Sequence, residues 1–104
     1  MIDRELMNQI KAVVREVDPE AEALLHGSRT RGKAEPESDW DLVLLLSIPV
    51  TEQLKRTTRH RLYEIEWETG QVISCVIHNR EQWNTAPLLD TPFRQRVSRE
   101  AVRI

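Results

Sequence analysis

Two short groups of residues in this chain could do chemistry together. Gly27 and Ser28 close a short apolar run, and Asp39 and Asp41 open another. Glycine has no Cβ, so a triphosphate can come close to the backbone at Gly27. Ser28 and the amides of the turn after it can donate hydrogen bonds to phosphate oxygens. Asp39 and Asp41 stand two apart at the start of a strand, where alternation points both carboxylates to one face. Hard divalent cations prefer such oxygen ligands, and two of them roughly 4 Å apart stabilise both the attacking and the leaving oxygen of an in-line displacement at phosphorus. One group suits an anion, the other a cation.

Gly27, four residues, Gly32 and Lys33 also imitate the start of a phosphate-binding P-loop. That reading fails on its own terms. A P-loop needs a Ser or Thr next, where this chain has Ala34, and a helix should begin where Pro36 and its polar neighbours argue for a loop.

The elements that must position these groups follow from periodicity. Leu6, Ile10, Val13, Val14 and Val17 recur at helical spacing, with Asp3 placed to cap the start and Pro19 beyond the end. Residues 21–26 read as a short strand, and 42–46 as a second one, apolar on both faces and so covered on both sides. Thr51 is a good N-cap for a long helix whose stripe is Leu54, Thr58, Leu62 and Ile65, with Gly70 as its stop. Residues 72–77 form a third covered strand. From Thr91 a short helix turns Phe93, Val97 and Val102 inward, and the stretch 78–93, with Pro87 and Pro92, reads as loop. The expected fold is α+β, in the order α-β-α-β-α-β, with a three-stranded mixed sheet flanked by helices over a single domain, residues 1–104.

Composition narrows the function classes. Of the 104 residues, 39% are apolar and 31% charged with both signs interspersed, which is the composition of a folded domain. A formal net charge of −2 argues against a protein-wide basic surface for nucleic acid and leaves room for a local anion site. The longest apolar run is too short to span a bilayer and the first residues lack the order of a signal peptide, so a cytoplasmic location and no membrane partner are expected. Cys75 is the only cysteine, which excludes an intrachain disulfide and a cysteine cluster for zinc.

Gly27-Ser28, ten residues, then Asp39-x-Asp41 resembles the signature of the minimal nucleotidyltransferases of the DNA polymerase beta superfamily. Arg31-Gly32 after the Gly-Ser, Ser38 before the first aspartate and the apolar strand after the second match the same pattern, while Thr30 stands where a small alanine is common. The resemblance implies transfer of a nucleoside monophosphate, usually AMP from ATP, to a hydroxyl with release of pyrophosphate. It makes Asp39 and Asp41 ligands of magnesium or manganese. Gly27 and Ser28 would hold the β and γ phosphates, with Arg31 or Lys33 offsetting their charge. Small stand-alone members of this family are often paired with a helical HEPN-class RNase toxin and act as its antitoxin, in some cases by attaching AMP to a tyrosine. A nucleoside triphosphate and a HEPN-type protein are therefore the expected partners.

The chain departs from the family in one place. Active members carry a third carboxylate on the third strand, which completes the metal site and helps deprotonate the attacking hydroxyl. Here no Asp or Glu lies between Glu68 and Glu81, and Ser74 stands where the acid is expected. Glu66 or Glu68, at the end of the long helix, would reach the site only if the strand began elsewhere. Two functional readings result: a magnesium-dependent nucleotidyltransferase, and a nucleotidyltransferase-like binding module that acts by occupying its partner.

Other polar residues read as structure. Trp40 points opposite to the two aspartates and is core packing. His26, beside Gly27, could touch a phosphate but reads as a histidine packed at a strand end, and His60 and His78 read as structure. Cys75, in an apolar strand with no cation beside it in sequence, is a buried small side chain. The run 55–61, "KRTTRHR", reads first as a solvated helix face and second as a contact surface for RNA or an acidic protein.

Overall fold

The computed structural model describes residues 3–30 and 39–104. Helix α1 (Asp3–Val17) leads to strand β1 (Glu22–His26), a 3-10 turn (Gly27–Thr30) and strand β2 (Trp40–Leu46). Helix α2 (Glu52–Thr69), strand β3 (Ile73–Asn79), helix α3 (Arg80–Trp83), a second 3-10 turn (Leu88–Asp90), helix α4 (Pro92–Glu100) and strand β4 (Val102–Arg103) follow. The fold is α+β. The strands lie in the order β3-β2-β1-β4, with β2 parallel to β3 and antiparallel to β1, and β4 antiparallel to β1.

The sheet therefore has a fourth strand beyond the three expected. β4 is only two residues long and pairs Val102 with Leu25 and Arg103 with Leu24. Its side chains are exposed, so Val102 does not turn inward, and no alternation marked it in the sequence. The stretch expected to be loop also carries structure. The Asn79 side chain accepts hydrogen bonds from the amides of Glu81 and Gln82, starting α3, and Trp83 is buried.

β2 is the spine of the molecule because its residues are apolar on both faces. Trp40, Leu42, Leu44 and Leu46 join Leu6, Ile10 and Val13 of α1 and Leu62 and Ile65 of α2 in one core. Val43 and Leu45, on the other face, pack with Trp83 and Val97. Each such side chain contributes about 1.5–3 kcal/mol when fully buried. α2 begins and ends as its sequence indicates: the Leu54 amide donates to Thr51 Oγ1, and Gly70, in the left-handed region at φ +73°, donates its amide to the Glu66 carbonyl.

The 55–61 run is a helix surface with Thr58 turned into the core. Arg61 pairs with Glu16 of α1 at 2.9 Å and with Glu64 at 3.2 Å, and Lys55 meets Glu52 at 3.5 Å. Among the described residues, no helix is long and apolar enough to cross a membrane.

Candidate functional site

The turn that leaves β1 and the start of β2 meet because the two strands are antiparallel. Their register sets His26 opposite Asp41. Gly27 follows at φ +83°, a conformation L side chains rarely adopt, and it lies against the Asp41 side chain. A Cβ built on Gly27 would stand 2.3 Å from Asp41 Oδ2, so only glycine lets the turn come this close to the carboxylate. Thr30 closes the turn by donating its hydroxyl to the Gly27 carbonyl at 2.8 Å.

Asp39 is exposed, Asp41 half-buried and Trp40 between them 1% exposed. Asp39 immediately precedes β2, and within the strand alternation separates the Asp41 carboxylate from the Trp40 indole, which is core as expected. Arg29, the third residue of the turn, lies over the Trp40 ring with its guanidinium carbon 4.3 Å from the centroid. Its Nη2 donates to Gln71 Oε1 at 3.4 Å, and the Trp40 indole donates to the same oxygen at 3.3 Å.

β3 runs parallel to β2 and sets Ser74 opposite Asp41. Residues opposite one another on neighbouring strands share a sheet face, so the position suited to a third acid carries an exposed serine. Glu66 is engaged elsewhere, where its Oε1 accepts from the Ile73 amide at 2.9 Å and helps start β3. Glu68 is exposed on α2. Among the described residues, no three His, Cys, Asp or Glu side chains converge as metal ligands. Arg31, Lys33 and Ser38 lie outside the described residues, as does the Ser28 side chain.

Comparison with protein families gives a match to the nucleotidyltransferase domain over residues 6–100. The chain belongs to that family. No curated protein matches it. A solved structure described as "Crystal structure of the toxin-antitoxin with AMP-PNP" is similar in fold to this nucleotidyltransferase domain. Its TM-score is 0.64 at 18% identity, with 92% of this chain and 69% of that chain covered.

Several residues around the site of this nucleotidyltransferase domain are structural. His26 packs edge-on against Phe93, with ring centroids 5.6 Å apart. His78 stacks near Trp83 at 5.4 Å, and burial, with Lys55 adding repulsion, holds its imidazole below the usual range. His60 is exposed beside Glu64. Burial pushes the thiol of the partly buried Cys75 up to about 12, against a weaker opposing pull from Arg59, which keeps it protonated at neutral pH. Arg29 and Gln71 are the site residues that sequence reasoning passed over. Arg29 had one signal, its place directly after Gly27-Ser28, whereas Gln71 had none.

Proposed function

We propose that this nucleotidyltransferase domain transfers a nucleoside monophosphate, AMP from ATP, to a hydroxyl acceptor with release of pyrophosphate. The observation that carries this reading is the packing of Gly27 against Asp41, which puts a turn suited to phosphate directly beside a carboxylate suited to a cation. The backbone at Gly27 and Ser28 would hold the β and γ phosphates, with Arg31 and Lys33 offsetting their charge. Two carboxylates two residues apart at the mouth of β2, together with phosphate oxygens, fit a hard divalent ion, so Asp39 and Asp41 would hold magnesium or manganese. That ion, when bound, would supply charge neutralisation on the triphosphate.

The acceptor hydroxyl must lose its proton as its oxygen bonds to the α phosphorus, and Ser74 is no base for that step. Without a general base, worth about 100-fold or more, transfer by this chain is slow unless the acceptor or a partner supplies one. The acceptor we favour is a hydroxyl on a protein partner, a choice supported by the similar fold of a toxin-antitoxin protein, and the family resemblance makes a HEPN-type protein the first one to try.

Calorimetric titration of ATP, with and without magnesium, into the chain and its Asp39→Asn, Asp41→Asn variant tests the site. Magnesium-dependent binding that the variant loses is expected, followed by label transfer from ATP to an acceptor. Equal binding by both chains would refute the assignment.

A second reading is favoured by Ser74: a nucleotidyltransferase-like antitoxin that neutralises its partner by binding alone. In that case the double variant still neutralises the partner. Loss of neutralisation in a folded double variant would count against it.

A further inference from the structure

We infer that Gln71 is a positioning residue that latches the phosphate-holding turn onto β2 through Arg29 and Trp40, an inference that rests on the nucleotide site proposed above. Gln71 Oε1 receives two donors, the Arg29 guanidinium at 3.4 Å and the Trp40 indole at 3.3 Å. Guanidinium and indole N–H groups can only donate, so the chemistry of the partners requires the amide oxygen, not its nitrogen, to face them. The Arg29 guanidinium also lies over the Trp40 ring at 4.3 Å, so three side chains from three segments close one network.

Each member of that network is anchored. Trp40 is 1% exposed, and its amide donates to the Val72 carbonyl at 2.8 Å, one residue from Gln71. Arg29 belongs to a turn that Thr30 closes onto Gly27, so restraining the arginine restrains the backbone on either side of it, including Ser28. The latch works from behind the site. Trp40 points to the face opposite Asp41, so the network fixes the turn relative to Asp41 while leaving the Asp41 face open.

The full chain is compared with Gln71→Leu, which removes the accepting oxygen, and Gln71→Glu, which keeps it. Backbone amide exchange of residues 28–30 is read by NMR without nucleotide. Affinity for ATP and for AMP, both with magnesium, is read by calorimetry. For Gln71→Leu we expect exchange in the turn to speed up about tenfold while β2 stays protected. ATP affinity should fall about tenfold, the loss of one hydrogen bond to a charged group, with AMP affinity unchanged. Gln71→Glu should match the unmodified chain in all of these, since it retains an acceptor for both donors.

Unchanged exchange in Gln71→Leu would overturn the latch. Equal losses for ATP and AMP would also overturn it, since a defect confined to the turn spares a nucleotide lacking β and γ phosphates. Absence of ATP binding in the unmodified chain would refute the nucleotide site itself, and the exchange rates would still decide whether Gln71 holds the turn.

Discussion

Gly27 and Gly70 share a left-handed backbone and differ in what surrounds it. Gly70 has nothing within 4 Å of the place a Cβ would take, so Gly70→Ala should cost only the backbone strain, about 1–2 kcal/mol. Gly27→Ala carries the same strain and also drives the new methyl into the Asp41 carboxylate. It should destabilise the chain more than Gly70→Ala in urea denaturation and remove magnesium-dependent ATP binding; a Gly27→Ala chain that binds ATP normally would contradict the proposed geometry. Ser74 gives the converse experiment. Being exposed and opposite Asp41, it can be changed to Asp without repacking, and Ser74→Asp should raise transfer to a given acceptor by about 100-fold if a missing base limits it. The approach of the Gly27 turn to Asp41 was legible because residue type and spacing both carried information there. Gln71 was not legible, because its role depends on Arg29 and Trp40, which reach it only through the tertiary fold.

Among the elements, the joint between α1, β1 and the end of β2 rests on one buried acid. Asp18, 4% exposed, accepts from the Ser47 amide at 2.6 Å, the Ser47 hydroxyl at 2.8 Å and the Glu20 amide at 3.0 Å. Burial alone would push its carboxyl up. The hydrogen bonds from Ser47 and Glu20, with the charge of Arg80 behind them, outweigh burial and hold it below the usual 3.8. A carboxyl lowered by folding stabilises the protein above its unfolded value, and that stabilisation is lost as pH falls below about 3.8. Asp18→Ala should cost about 3 kcal/mol at pH 7, at roughly 1 kcal/mol per hydrogen bond. The gap between variant and parent should shrink toward pH 3 in urea denaturation. The long elements were readable because α1, α2 and β2 repeat one pattern over many residues. α3 and β4 were not, since a four-residue helix set by the Asn79 side chain and a two-residue exposed strand contain less than one period of any pattern.

For the molecule as a whole, the thiol of Cys75 offers a gauge of opening. It sits on the central pair of strands, opposite Leu42, and packs against the α1–α2 core. Folding raises its pKa from 9.0 to about 12, so its contribution to stability is complete below pH 9.0 and is lost as pH rises toward 12. At pH 8 a disulfide reagent such as DTNB should therefore label Cys75 at a rate that follows unfolding, rising with urea in step with loss of helix signal. Rapid labelling in the native state would show that the core is not closed over β3.

The edge of the sheet has a consequence for how the molecule comes together. β4 joins β1 through two residue pairs far apart in sequence, Leu24 with Arg103 and Leu25 with Val102, and the Ile104 amide donates to the Ala23 carbonyl at 3.0 Å beyond them. Closing so long a loop costs entropy that two pairs scarcely repay, whereas β1 with β2 and β2 with β3 join much nearer neighbours over five and seven pairs. Gly27, Asp41, Ser74 and Gln71 therefore belong to the part of the chain whose pairing is most local, and that part can assemble before β4 docks on β1.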